Sequence, residues 1–489
     1  MNTAQTKYKN GLNQAFLSEL LENLLELKEK LNHGIDPQIK NVSLLNMKQY
    51  LNLRKYDYSL LQDNLTRVGL SSFGRSQAHI EASVIVALRM LSLALDRELE
   101  LGDAYMSYEE SHAIMDKNAT LFSNSDDKTK IMITVDSNYE EDKDYFSNLS
   151  HEGVHLFRIN TAHDNPKAWK DMAKSIKNAQ SENKELKVYV DLAGPKIRTS
   201  LREADRDKKI KVFYNEYVFI QSSLSRLFHD KNNRYSATIG CTLEKLGSIT
   251  SVGDHVFIDD GKIQMVVEEI KGEDIVCRVL TNSKKGSKIK DEKGINLPNS
   301  DISLAAISEH DKEILPFICE YADIIGISFV QGADDVRMLI EELERLGKKD
   351  KIGIVAKIET KKGVQNLPSI LEALIEYERA AIMIARGDLA IEIGFENLAY
   401  IQEEILDLCT AAHIPVILAT QVLESKMKTN LPSRAEISDV SFAHKAECVM
   451  LNKGEYALET IKILRTILMQ MDMVFRKNKL LYNHSFEWK

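Results

Sequence analysis

Residues 352–359 read IGIVAKIE, and residues 381–388 read AIMIARGD. Each is a short apolar run that ends abruptly in charge. Unbroken apolar runs of this length are expected of strands covered on both faces by helices, where neither face meets water. Working outward, similar runs recur at Ile131–Val135, Val154–Ile159, Lys187–Asp191, Ile324–Phe329, Pro415–Thr420 and Cys448–Leu451, most of them followed by amphipathic segments. With Ile352–Ile358 and Ala381–Ala385 they make eight, the count of an α/β fold of the (β/α)8 TIM-barrel type. Periodicity alone does not close a barrel, so an open doubly wound sheet is the alternative.

A barrel carries its reacting groups where its strands end. Those ends hold Arg158 and Asn160, Asp191 with Arg198 beyond it, Ser328, Lys357 and Glu359, Arg386-Gly387-Asp388, and Thr420-Gln421. Lys357 and Glu359 share a face, because strand side chains repeat every two residues. Interior lysine is rare without a task. The pair reads either as an ion pair stiffening the barrel, or as a cation neutralising charge in a transition state beside a carboxylate that holds metal. Asp388 is expected near Glu359 across adjacent strand ends. Two carboxylates with open positions suit Mg²⁺, which keeps waters and accepts substrate oxygens; a plain surface turn is the other reading of 386–388. With Arg158, Arg198 and Lys357 the rim is cationic on an acidic chain, which favours Mg²⁺-assisted phosphoryl transfer or a phosphorylated substrate.

About 130 residues separate Asp191 from Ile324, more than a simple crossover needs. This stretch reads as β-rich, with runs at Ile210–Tyr214, Tyr217–Gln221, Val256–Ile258, Ile263–Ile270 and Ile275–Leu280. The expected organisation is a barrel over 126–197 and 298–489, an inserted β domain over 198–297 that closes over the rim as a lid, and a helical extension over 1–125. The charged run Lys284–Lys293 reads as mobile and solvated, with contact to a nucleotide on closure of the lid as the alternative. In the extension, Leu12, Phe16, Leu20, Leu24, Leu27 and Leu31 fall on one helical face, with Gly34 as a stop. A second helix is expected after Gly74, with Ser76 as its N-cap and Ile80, Val84, Leu88, Leu91 and Leu95 as its stripe. Both stripes read first as packing surface, with a partner-binding face as the sharper alternative.

The 489 residues carry 28% charged side chains and a net charge of −9, which argues against a dedicated nucleic-acid or anionic-membrane surface. The five cysteines are scattered without metal-ligand spacing and read as thiols of a reducing compartment. The first residues lack the apolar core of a secretion signal, and the most apolar stretch, Val84–Leu95, is interrupted by Arg89 and too short to span a bilayer. A soluble cytoplasmic protein is the expectation. His151 and His155 have i,i+4 spacing, but the second falls in a strand, which disfavours a zinc site. Walker and Rossmann glycine patterns are missing from the sequence.

At this point the sequence resembles the pyruvate kinase family. The shared stretches are VHLFRINTAHDN (154–165), VYVDLAGPKIRTS (188–200), KGINLP (293–298), ISFV (327–330), VAKIE (355–359), IARGDLAIEIG (384–394) and PVILATQVLESKMKTNLPSRAEISDV (415–440), in the family's order. The resemblance implies a barrel with an inserted B domain, and transfer of the phosphoryl group of phosphoenolpyruvate to ADP, giving pyruvate and ATP. It implies Lys357 as the lysine on the transferring phosphoryl group, and Glu359 and Asp388 as ligands of Mg²⁺ (or Mn²⁺). Gly387, Asp388 and Thr420 correspond to the substrate carboxylate site, with Thr420 also on the enolate protonation side. Arg158 corresponds to the arginine on the substrate phosphate, and Asn160, His163, Arg198 and Lys293 to positions near the nucleotide phosphates. A homo-oligomer, dimer or tetramer, is also implied.

The sequence departs from the family at several places. K⁺-dependent members supply Asn, Ser, Asp and Thr with a nearby Glu; here these positions read Asn160, Ala162, Asp191, Leu192 and Lys196. Two oxygen ligands are lost and a fixed ammonium stands where the ion's charge is needed, which implies K⁺-independent catalysis. The first strand reads ITVDSN instead of the usual Thr-Ile-Gly-Pro turn, and Asn452-Lys453-Gly454 shortens the usual Ser-Gly-Glu-Thr stretch. The C-terminal regulatory domain is expected to be absent, along with its sugar-phosphate site, and 1–125 has no counterpart in the resemblance. Two rival readings remain: a divergent Mg²⁺ enzyme acting on another 2-oxo or phosphorylated acid, and a non-catalytic paralogue whose extension binds a partner.

Overall fold

The computed structural model describes residues 13–102, 105–139, 143–179, 185–201, 203, 210–222, 234–302, 304–476 and 479–480. Five helices come first: α1 (Gln14–Asn32), α2 (Val42–Leu53), α3 (Ser59–Arg67), α4 (Ile80–Ala94) and α5 (Tyr108–Ala119). Of the expected stripe of α1, Leu20, Leu24, Leu27 and Leu31 are buried, Phe16 is half-buried and Leu12 lies outside the described residues; Leu17 and Leu21, not in that stripe, are buried as well. Gly34 adopts φ 71°, the left-handed turn that ends a helix without Cβ strain. Ser76 does not cap α4. Its hydroxyl donates to the Phe73 carbonyl, and a short 3₁₀ turn over Gln77–His79 separates it from the helix. Residues 77–94 form one helical run long and apolar enough to cross a membrane, longer than the stretch the sequence singled out, and 61% of it is buried inside the protein.

Three strands follow: β1 (Lys130–Val135), β2 (Val154–Asn160) and β3 (Lys187–Asp191), with α6 (Lys143–His151) and α7 (Pro166–Asn178) between them. The insert holds β4 (Thr199–Ser200), β5 (Ile210–Val212), β6 (Tyr217–Gln221), β7 (Ala237–Cys241), α8 (Leu246–Ile249), β8 (His255–Ile258), β9 (Ile263–Lys271), β10 (Asp274–Val279), β11 (Ser287–Ile289) and β12 (Ile295–Asn296). The chain then runs through α9 (Glu309–Ile318), β13 (Ile324–Ile327), α10 (Ala333–Arg345), β14 (Gly353–Ile358), α11 (Lys361–Gln365), α12 (Leu367–Tyr377), β15 (Ala380–Ala385) and α13 (Arg386–Ile393). It continues with α14 (Leu398–Ala411), β16 (Val416–Ala419), α15 (Glu424–Thr429), α16 (Arg434–Ser441), β17 (Cys448–Leu451) and α17 (Ala457–Val474), and then an antiparallel pair, β18 (Phe475–Arg476) and β19 (Lys479–Leu480).

The eight long-predicted strands close into a barrel of parallel strands, ordered β1-β17-β16-β15-β14-β13-β3-β2. The open-sheet alternative is thereby excluded. Side-chain alternation sorts each strand into an inner and an outer face. Met132, Leu156, Tyr189, Val355, Met383, Ile417 and Met450 form the core inside the barrel, while Ile354, Ala356 and Ile358 join the larger core beneath the helices. Leu121 and Phe122, just past α5, belong to the inner core and plug its floor. A Cβ on Gly353 would stand 2.4 Å from Leu121, so glycine there makes room for the plug.

The insert forms a seven-stranded sheet, β12-β8-β9-β10-β6-β7-β4, with its own apolar core, and a separate β5–β11 pair. β7 was not legible, because ATIGC is short and weakly apolar. The run Lys284–Lys293, expected to be mobile and solvated, contains strand β11, whose Ile289 is buried. The helical extension is tied to the barrel's flank. Asn46 donates to the carbonyls of Gln77 and Ala411 at 2.8 Å each and accepts from the Ile80 amide at 3.0 Å. His413 bridges Ser43 and the Ala78 carbonyl, both at 2.8 Å.

Asp407, on α14 at this seam, accepts from Gln77 at 3.1 Å. Burial, reinforced by Glu403, pushes its carboxyl up to about 6 from 3.8. The folded chain therefore binds the proton more tightly than the unfolded one. The resulting stabilisation is complete below about pH 4 and is lost as pH rises through about 6. Asp407→Asn is expected to raise stability at pH 7 by up to about 3 kcal/mol and to flatten the pH dependence between pH 4 and 7. Urea unfolding at the two pH values checks this.

Candidate functional site

β14 delivers Lys357 on the inner face, two residues beyond Val355, and Glu359 two residues further on. The Lys357 ammonium lies 2.8 Å from Ser328 Oγ, 3.0 Å from Asp191 Oδ2 and 3.3 Å from Glu359 Oε1. Burial disfavours its charged form, but Asp191 and Glu359 outweigh that and hold its pKa above the ordinary lysine value. Asp191 also accepts from Arg158 Nε at 3.0 Å. Despite burial, Lys357 and Arg158 keep the Asp191 carboxyl below the usual range. Arg158 is anchored a second time by Thr134 Oγ1 at 3.1 Å, across the β1–β2 register. The two cations are thus fixed side by side at the rim by one shared carboxylate.

Glu359 accepts from the Phe329 amide at 2.7 Å. Its pKa is raised, by burial first and then by Asp388 and Asp191, with Lys357 opposing. Asp388 sits in the first turn of α13, where Lys196 reaches both its oxygens at 2.8 and 2.9 Å and Asn296 donates at 3.1 Å. Asn296 is on β12, so the returning root of the insert is pinned to α13. A Cβ on Gly261 would stand 3.6 Å from Ile391, so a turn of the insert also rests against this helix.

Lys357, Arg158 and Lys196 face the carboxyls of Asp191, Glu359 and Asp388, and Glu392 joins Asp388 through Asn296 at 3.3 Å. A multiply charged anion entering here needs further positive charge. Glu359 and Asp388 are the carboxylates near the opening, and a hard divalent cation completing its shell with water and substrate oxygens fits that donor set. Among the described residues no group of three or more His, Cys, Asp or Glu gathers to hold a metal by itself. Lys196 stands on Asp388, and its hydrogen bonds do not include Asn160 or Asp191, the positions with which the sequence grouped it.

On the opposite side, Asn160 Oδ1 accepts from the Ala162 amide at 3.1 Å. The His163 pKa is lowered by burial, then by Lys453, Arg198 and, less strongly, Arg158, which places these cations around it. Arg198 donates to the Glu292 carbonyl at 3.1 Å, and the isolated bridge between Arg198 and Gly294 keeps the Lys293 segment beside it. Lys293 itself is drawn toward Asp259 at 3.7 Å. Lys453 pairs with Asp136 at 2.6 Å. The two sequence departures, ITVDSN and Asn452-Lys453-Gly454, therefore meet across the β1–β17 neighbourhood.

At the end of β16, Thr420 Oγ1 accepts from the Gly387 amide at 2.8 Å. Thr420 and Gln421 have φ of 67° and 56°, and Phe329 has 57°. Left-handed backbone is costly for a β-branched residue, and such strain gathers at functional sites. Arg386 does not face the opening as a free cation. Its guanidinium is buried and bonded to the carbonyls of Ala419 and Thr420 and to Asp439. His155 is likewise structural, bonded to Asp127 and the Ile131 amide. Sequence reasoning missed Asn296, although it lies inside the quoted KGINLP, because an asparagine on a two-residue strand carries no signal of its own. It also read Lys453 as part of a loss rather than as a gained cation.

Fold and rim together define a closed (β/α)8 protein with an inserted β domain and buried lysine, arginine and carboxylate side chains gathered at the mouth of the barrel. The family model for the pyruvate kinase barrel domain matches residues 126–461. The chain is 33% identical over 335 residues to the pyruvate kinase of Clostridium perfringens, covering 68% of this chain and 66% of that protein. It is 32% identical over 330 residues to that of Mycobacterium intracellulare (65% of each chain) and 32% over 360 residues to that of Dictyostelium discoideum (71% and 67%). The chain belongs to the pyruvate kinase family. It matches about two thirds of the length of these relatives.

Proposed function

We propose that this protein transfers the phosphoryl group of phosphoenolpyruvate to ADP, yielding pyruvate and ATP. The observation that carries the reading is the buried Lys357 ammonium, held by Asp191, Glu359 and Ser328 beside Arg158. In this reading Arg158 anchors the substrate phosphate, and Lys357 neutralises charge as the phosphoryl group moves. The first turn of α13 at Gly387 and Asp388, with Thr420, receives the substrate carboxylate, and Thr420 lies on the side where the enolate gains its proton. Glu359 and Asp388 would hold Mg²⁺ or Mn²⁺, which supplies Lewis-acid charge to the phosphoryl oxygens when bound. Asn160, His163, Arg198 and Lys293 orient the nucleotide phosphates, and the inserted domain acts as the lid that excludes water. Lys196 supplies in fixed form the charge that other members take from K⁺.

Purified protein with phosphoenolpyruvate, ADP and Mg²⁺, coupled to pyruvate reduction, should turn over at a similar rate in K⁺ and in a non-coordinating cation at equal ionic strength. No turnover in either medium would overturn the reading, and a large stimulation by K⁺ would overturn its ion independence. Lys453 adds a cation on the nucleotide side. Lys453→Ala is expected to raise the KM for ADP about ten-fold while leaving that for phosphoenolpyruvate within about two-fold, the cost of losing one charge-assisted contact. Steady-state kinetics in each substrate checks this split.

A further inference from the structure

The inserted domain carries a groove of about 820 Å³, bordered through Asp259 by Lys293, the nearest of the residues assigned above to the nucleotide. Six lysines line it: Lys211, Lys262, Lys284, Lys285, Lys288 and Lys290. Asp259 is the one carboxylate lining it among the described residues, and it is engaged by Lys262 at 3.0 Å and Lys293 at 3.7 Å. This concentration of positive charge stands on a chain whose net charge is −9.

The fold worsens the repulsion instead of relieving it. β5 and β11 are antiparallel, and their register sets Lys211 directly opposite Lys288. Like charges facing each other across a ladder destabilise it. The ribbon is held by Val212 and Ile289, fully buried in the insert's core, while the two lysines face outward, where that burial does not require them to be cationic. A bound polyanion would. The groove also holds an aromatic platform. Phe213, next to β5, is 42% exposed. Gly286, at φ 72°, lies so close to its ring that a Cβ there would stand 2.9 Å away. One part of the ring is thus packed by bare backbone while the rest is open. Lysines beside an open aromatic ring are the chemistry that takes phosphates together with a stacked planar base.

We propose that this groove is a second nucleotide site, taking a nucleoside triphosphate with its phosphates among Lys211, Lys285 and Lys288 and its base on Phe213. The acidity of the rest of the chain favours a small nucleotide over a nucleic-acid strand, which would run on past the groove.

Equilibrium dialysis of the full chain against labelled ATP, wild type beside Lys288→Glu, tests this. The variant should bind one equivalent fewer per chain and keep its phosphotransfer rate at saturating substrates. Its unfolding midpoint should rise, because glutamate opposite Lys211 replaces repulsion with attraction; a lost site in a more stable protein is not a folding defect. The equivalent that is lost should weaken steeply with added salt and be displaced by inorganic tripolyphosphate but not by adenosine. Phe213→Ala should weaken ATP about ten-fold at this site and leave tripolyphosphate unchanged. Equal stoichiometry in wild type and Lys288→Glu overturns the proposal, whether or not the barrel catalyses the proposed transfer. Displacement of ATP by single-stranded oligonucleotides with affinity rising with their length would overturn it in favour of a nucleic-acid surface.

Discussion

Lys357→Met is expected to lower kcat by about 10³-fold while changing the KM for phosphoenolpyruvate by less than about ten-fold. Methionine nearly preserves the volume of the lysine stem, so the barrel interior stays filled. The lost element is an ammonium whose hydrogen bonds to Asp191 and Ser328 fix it before substrate arrives. Such a pre-set charge acts mainly where negative charge develops, which is why kcat and not KM should carry the loss. Removal also leaves Asp191 with Arg158 as its remaining cationic partner, so a modest fall in stability is expected alongside. Coupled-assay kinetics with a thermal melt of the same preparation separates the two effects. A rate within ten-fold of wild type would refute the role of Lys357.

Lys196→Glu is expected to lower activity about 10²-fold, and K⁺ alone should not restore it. The substitution places a third carboxylate beside Asp388 and Glu359 where an ammonium now lies 2.8 Å from Asp388. An added ion would need oxygen ligands, and Ala162 and Leu192 offer no side-chain oxygen. Combining Lys196→Glu with Ala162→Ser and Leu192→Thr should make activity rise with K⁺. The readout is rate against K⁺ concentration at constant ionic strength. Recovery of the single variant by K⁺ would show that Lys196 does not substitute for the ion.

Much of this molecule was legible because barrel strands advertise themselves. IGIVA and AIMIA are apolar without interruption, so their burial and their abrupt charged ends could be read together, and the period of two placed Lys357 and Glu359 on one face. What escaped detection was of two kinds. Short strands such as Ala237–Cys241 depend on their neighbours in the sheet rather than on their own composition. Contacts such as Lys453–Asp136 and Asn296–Asp388 join residues about 300 and 90 positions apart, and no local pattern announces them. The strained backbone at Phe329 and Thr420 was also invisible, because neither residue type prefers positive φ. Ser76 misled for the opposite reason: a good capping residue stood one 3₁₀ turn too early.

The stopper of Leu121 and Phe122 under the barrel has a consequence for how the protein can be divided. The barrel borrows its floor from the segment that follows the fifth helix, and glycine at position 353 leaves room to receive it. Cutting the chain at the start of the matched region would leave a hollow lined by Met132, Leu156 and Ile324 open to water, so the helical preface is a structural creditor of the barrel and not a detachable passenger.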